Sequence, residues 1–159
     1  MNPTPKGNPP LNLPPARLKT RLDGERLQVR DPLRQKYVAL TPEEYVRQHF
    51  VNYLIEYLSY PPMMMANEIK IELNGTTRRC DTVVFGSDTR VLMIVEYKAP
   101  DVLLTQDVFD QIVRYNMTLR ARYLVVSNGL NHYCCVIDYK SGSYHFLPKI
   151  PVYTDLLDS

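Results

Sequence analysis

The sequence predicts an α/β (α+β) fold, a central mixed sheet flanked by helices, on three observations. Two alternating segments, Glu68 to Leu73 and Arg78 to Phe85, meet at Asn74-Gly75, the strongest short hairpin signal in the chain. Two apolar runs, Val91 to Val95 and Tyr123 to Ser127, are short, β-branched and bounded by turn residues, as strands buried on both faces are. Around these runs the apolar period changes to that of helices, after Thr41 and again after Thr105.

The 159 residues suffice for one domain with a real core and are too few for two of ordinary size. Met1 to Ala16 is crowded with Pro and Asn, cannot hold a helix and offers only Leu11 and Leu13 as anchors, so residues 1–16 are expected as an extended or mobile arm and 17–159 as the domain. Glu25 to Val29 and Lys36 to Leu40 read as short strands about an Asp31-Pro32 turn. Thr41-Pro42-Glu43-Glu44 starts a helix: Thr41 as cap, Pro42 at the first position, Glu44 closing a capping box. Val46, Phe50, Tyr53, Leu54, Tyr57 and Leu58 follow at helical spacing until Pro61-Pro62. Met63 to Met65 reads as loop or gap-filling, because three adjacent Met cannot share one helix face.

The hairpin and the Val91 to Tyr97 strand make a meander. From Thr105 to Arg120, Val108, Ile112, Tyr115 and Leu119 fall on one helical stripe. After the Tyr123 strand, Asn128-Gly129 turns into a last hairpin, His132 to Asp138 with Tyr144 to Leu147, around Ser141-Gly142. Strand, helix, strand in succession predicts a right-handed crossover.

Net charge is +2, but Met1 to Leu40 carries eight Lys/Arg against three Asp/Glu, which suits phosphates and equally a solvated linker. No apolar run approaches the roughly 18 residues of a membrane span, and the N-terminus lacks the shape of a signal peptide, so a cytoplasmic protein is expected. Cys80, Cys134 and Cys135 show neither disulfide nor zinc spacing and read as free, mostly buried thiols; His49, His132 and His145 are scattered and read as no ligand set.

The chemistry-bearing group closes the Val91 strand. Glu96 and Lys98, two apart, share a strand face, and burying either alone is expensive. Asp81 lies in the strand that pairs with theirs, and two carboxylates brought together repel unless a positive charge sits between them. A divalent metal supplies one; hard oxygens suit Mg²⁺, which takes one or two carboxylates and keeps waters. Lys98 beside it would hold or deprotonate an attacking water.

An Asp, a strand turn and Glu-x-Lys flanked by helices resembles the PD-(D/E)xK phosphodiesterase superfamily. Within it the chain is most similar to the N-terminal domain of type I restriction enzyme R subunits, through Leu40-Thr-Pro-Glu-Glu-Tyr-Val-Arg-Gln48, Lys70 to Phe85 with Arg78-Arg79-Cys80-Asp81, Val95-Glu-Tyr-Lys-Ala-Pro100, Gln111-Ile-Val-Arg-Tyr-Asn116 and Val126-Ser-Asn-Gly129. The resemblance implies a restriction-endonuclease-like αβββαβ core that cleaves DNA with Mg²⁺ (Mn²⁺ as substitute). It implies Asp81 and Glu96 as metal ligands with the Tyr97 carbonyl, and Lys98 as the catalytic lysine. Glu43 would support the metal through water, with Glu44 as rival, and Gln111 and Tyr115 would border the site. Partners would be DNA and other restriction or defence subunits. Cys80 replaces the superfamily's proline before the Asp, and no GxxxxGK[ST] occurs, so no ATP-driven motor resides in this chain.

Each assignment has a structural counterpart. Glu96–Lys98 alone reads equally as a rim ion pair, Glu43 with Arg47 as an i, i+4 pair, Glu44 as a capping acid, Gln111 as a cap and Tyr115 as core. Of Arg78 and Arg79, which alternate faces, at most one reaches a phosphate near Asp81. The competing functions are a non-catalytic module binding nucleic acid or a partner, and a structural protein using Met63 to Met65 as interface.

Overall fold

The computed structural model describes residues 9–73 and 75–157. Three short strands, β1 (Thr20–Asp23), β2 (Arg26–Asp31) and β3 (Lys36–Ala39), form an antiparallel sheet of their own. Helix α1 (Pro42–Leu58) follows, and β4 (Met65–Leu73), β5 (Thr76–Phe85) and β6 (Val91–Tyr97) are the meander. Helix α2 (Gln106–Asn116) leads to β7 (Tyr123–Ser127), then β8 (His132–Asp138), β9 (Ser143–Leu147) and the short α3 (Tyr153–Leu157). The larger sheet runs β4-β5-β6-β7-β8-β9, antiparallel except for β6 with β7, the parallel pair joined through α2. The expected mixed sheet with flanking helices is thus present, with αβββαβ running from α1 to β7.

Thr41 caps α1 as its sequence requires: its Oγ1 accepts from the Glu44 amide at 3.1 Å. Ser59 ends the helix in the left-handed region, and its amide returns to the Leu54 carbonyl. Strand alternation divides the core. Val84, Met93, Val95, Tyr97 and Val125 pack with Val46, Phe50 and Leu54 of α1. On the other face Val83, Ile94, Leu124 and Val126 pack with Phe109 and Val113 of α2. The three cysteines are free thiols, all buried.

Several details differ from the sequence expectation. The buried face of α2 is Phe109, Val113 and Asn116, one position on from the stripe of Val108, Ile112 and Tyr115, and Tyr115 is exposed. The helix ends at Asn116, and Leu119 is buried from a separate 3-10 turn, Met117–Leu119. Of the predicted α1 stripe, Tyr57 faces solvent. The Met segment is a 3-10 turn, Pro62–Met64, and Met65 already begins β4 and is buried. Strand β1, the separate sheet and α3 were not anticipated: strands with one wet face and a single buried turn carry little periodicity of their own. Asn74 lies outside the described residues, as do residues 1–8 of the arm; beyond them, Asn12 donates to the Gly129 carbonyl at 2.8 Å and Leu13 packs on the α1 cluster. Gly129 is required there: at φ +85° a Cβ would stand 2.6 Å from Leu11.

Candidate active site

The site forms where β5 leaves its neighbours. The β5–β6 register pairs Thr82 with Val95 and places Asp81 opposite Glu96 one step on, but the ladder stops at Thr82. In place of a main-chain acceptor, Asp81 Oδ2 takes the Tyr97 amide at 2.8 Å. On the other side β4 pairs Asn67 with Thr82 and Ile69 with Cys80, skipping Asp81 and the facing Glu68, whose φ is +54°. A non-glycine residue there stores strain of roughly 1–3 kcal/mol. The distortion shifts the faces: Cys80 and Val83, three apart, lie in one cluster, which strict alternation forbids.

Asp81, Glu96 and Lys98 come together as one electrostatic group. Burial pushes the Glu96 carboxyl up to about 9, the facing Asp81 carboxylate adds to the rise, and Asn116 and Lys98 oppose it. Glu96 Oε1 and Asn116 Oδ1 are both buried without a hydrogen-bond partner, while Asn116 Nδ2 is spent on the Ile112 carbonyl at 2.9 Å. Orphaned buried oxygens cost about 1–3 kcal/mol each, and a hard cation relieves that cost. Two facing carboxyl groups with an orphaned oxygen therefore fit Mg²⁺ as hard donors. Among the described residues no group of three His, Cys, Asp or Glu converges, so any metal here would rest on this pair. Lys98 is fixed through its backbone, its amide donating to Ser127 O at 2.9 Å. Tyr97 turns to the α1 core and donates to Thr82 Oγ1.

A buried polar chain supports the group from α1. Arg47 donates through Nη1 to the Asp81 carbonyl at 2.8 Å, through Nη2 to Glu68 at 2.8 Å, and through Nε to Glu44 at 2.9 Å. Glu44 also receives Arg34 and Gln48, and Arg34 in turn binds Asp31. Burial would lower the charge affinity of Arg47, but Glu44 and Glu68 more than restore it and its pKa is raised. Burial likewise works to raise Asp31, yet Asn67, Arg34 and the Leu33 amide outweigh it and hold it below the ordinary range.

Glu43, predicted as the supporting glutamate, is exposed on α1, whereas its rival Glu44 is buried in this chain. Gln111 is exposed on α2, and Tyr115 lies under the Arg78 guanidinium, 4.7 Å from its carbon. Arg79 is paired with Glu68, so both arginines before Asp81 have partners within the chain. Sequence reasoning read Arg47 only as a partner of Glu43, whereas it pairs with Glu44 and Glu68, and gave Asn116 no role. Asn116 ends the quoted Gln111 to Asn116 piece, and its place three residues after Val113 on the apolar stripe was the available signal. Two cavities of about 340 and 330 Å³ are lined by other residues and include none of Asp81, Glu96 and Lys98.

Residues 42–151 match the model of the family described as the type I restriction enzyme R protein N terminus. Among solved structures, a fragment described as an HsdR subunit of a type I restriction enzyme from Vibrio vulnificus is similar over 75% of this chain, at 18% identity and a TM-score of 0.53. That likeness concerns the fold, and the chain spans 25% of the length of its relative. No curated protein matches the sequence.

Proposed function

The chain belongs to the type I restriction enzyme R protein N-terminal family, and from that premise we propose that it is a PD-(D/E)xK-type, Mg²⁺-dependent endonuclease domain hydrolysing DNA phosphodiesters. The observation that carries this reading is the buried Glu96 carboxyl held against Asp81 at the end of a broken ladder, with an orphaned oxygen and Lys98 close enough to act on its charge.

Asp81 and Glu96 would hold the ion, with the Tyr97 carbonyl beside them; Mn²⁺ would substitute. Bound there, the ion would neutralise charge on the scissile phosphate and lower the pKa of coordinated water. Lys98 orients the attacking water against the phosphorus. Asp81 keeps its carboxylate in place through the Tyr97 amide, and Arg47 clamps the backbone beneath it. Assembly with further restriction subunits belongs to the same proposal, since the structural relative is described as a subunit of a type I restriction enzyme.

Incubating the purified chain with plasmid and single-stranded DNA in Mg²⁺ or Mn²⁺ tests this. Cleavage is expected, falling at least about a hundredfold in Asp81→Asn and Lys98→Ala. Unchanged cleavage in these variants overturns the assignment of roles. Intact DNA with the wild type leaves the non-catalytic binding module in its place.

A further inference from the structure

The small sheet β1–β3 precedes the residues that match the family model, and its two faces are unlike. Leu27, Val29 and Asp31 of β2 alternate inward, Val29 and Asp31 wholly buried. Arg26, Gln28 and Arg30 alternate outward, and the register sets Arg21 opposite Gln28 and Tyr37 opposite Arg30 on the same side. Lys19, whose carbonyl accepts from the Arg30 amide, extends this face. Asp23, opposite Arg26, is its acid.

Among the described residues none of Arg21, Arg26 and Arg30 forms an ion pair, whereas Arg34, Arg47 and Arg79 all do. Two of the guanidinium groups are placed by neighbours on the sheet: Arg21 lies 3.9 Å over the Tyr37 ring and hydrogen-bonds Gln28, and Arg30 sits 5.9 Å from the same ring. Arginines without a carboxylate partner are free for bidentate recognition of phosphate. Four residues of strand separate Arg26 from Arg30, about 13 Å at ~3.4 Å each, comparable with the ~12 Å width of a DNA major groove. From its inner side, through Asp31, the same sheet is tied to the catalytic group by Arg34, Glu44 and Arg47, the last holding the Asp81 carbonyl.

We propose that the outer face of β1–β3 grips the phosphodiester backbone of duplex DNA through Arg21, Arg26 and Arg30. The choice of DNA as the polyanion rests on the nuclease reading; the phosphate chemistry rests on this face alone. Contacts of this kind carry no sequence information, so binding is indifferent to sequence.

The test uses the full chain, a 20-base-pair duplex in two unrelated sequences, and fluorescence anisotropy in EDTA at several salt concentrations. In the Arg21→Gln, Arg26→Gln, Arg30→Gln variant, the slope of log affinity against log salt is expected to become shallower by about 2.7, three phosphates at ~0.9 each. Between 50 and 200 mM salt the wild type should therefore lose about 40-fold more affinity than the variant. A control lacking Arg122, Lys140 and Lys149, exposed cations elsewhere, should keep the wild-type slope. An unchanged slope in the triple variant, an equal fall in the control, or no salt-dependent binding by the wild type overturns the proposal. Binding is read without metal, so wild-type cleavage failing in Mg²⁺ leaves this result standing. A flat slope leaves observed cleavage standing.

Discussion

Glu96 concentrates the chemistry in one side chain. Its carboxyl, raised to about 9 by burial and by Asp81, binds a proton in the folded state that the unfolded chain releases near 4.5. Between those values the native state holds more protons than the unfolded one, so stability falls as pH rises, by at most about 1.4 kcal/mol per pH unit for one proton. Asp31 and Glu68 act oppositely. Burial works to raise Glu68, but Arg47 and Arg79 outweigh it, so its pKa, like that of Asp31, is depressed. Their contribution is present above the unfolded carboxylate range and lost as pH falls below it. His49 and His132, both lowered by burial, likewise lose their contribution as pH falls, so thermal melting of the metal-free protein should show an acid limb set by these four groups and an alkaline limb to which Glu96 contributes. Glu96→Gln should flatten the alkaline limb and leave the acid limb intact; an unaltered alkaline limb would show that another group sets it.

Helix α1 and strand β5 convert local rules into the site. The helix presents Val46, Phe50 and Leu54 to one core cluster and turns Glu44 and Arg47 into the polar chain beneath Asp81. Arg47→Ala would leave Glu44 with Arg34 and Glu68 with Arg79 as their remaining cations, and the Asp81 carbonyl without its donor. Losing one partner of a buried pair costs about 3–5 kcal/mol. Urea denaturation should show a loss of that size, against about 1 kcal/mol for removing the Thr41 cap in Thr41→Ala. If Arg47→Ala costs no more than the cap, the chain of charges is solvated rather than buried. In β5, the skipped pairings at Asp81 make the site, since a regular ladder would leave its carboxylate no cause to turn to the Tyr97 amide.

The whole molecule is a sheet with a separate core on each face, one under α1 and one under α2. Phe50 and Phe109 are their largest helical anchors, at 0% and 4% exposure. Each truncation to alanine should cost about 3–5 kcal/mol, and because the two sites share no cluster the losses should add. Domains of this size are stable by about 5–15 kcal/mol, so the double variant should be largely unfolded by circular dichroism at 37 °C. A cooperative wild-type-like melt of the double variant would show that neither ring carries its side of the core. No helix of the described residues is long and apolar enough to cross a membrane.

The sequence by itself determined the order of elements from α1 to β9, the Thr41 cap and the place of Glu96 at the end of β6. These follow from signals within a few residues of one another: a capping hydroxyl, a turn dipeptide, a period of two. Only the tertiary structure decided that Glu44 is buried and Glu43 exposed, that Asn116 faces Glu96, that Arg47 clasps the Asp81 carbonyl, and that the basic residues before α1 form a sheet. Each of these depends on how far a helix is rotated on its sheet or where a ladder breaks. Packing between residues distant in sequence sets both, and no local period records it.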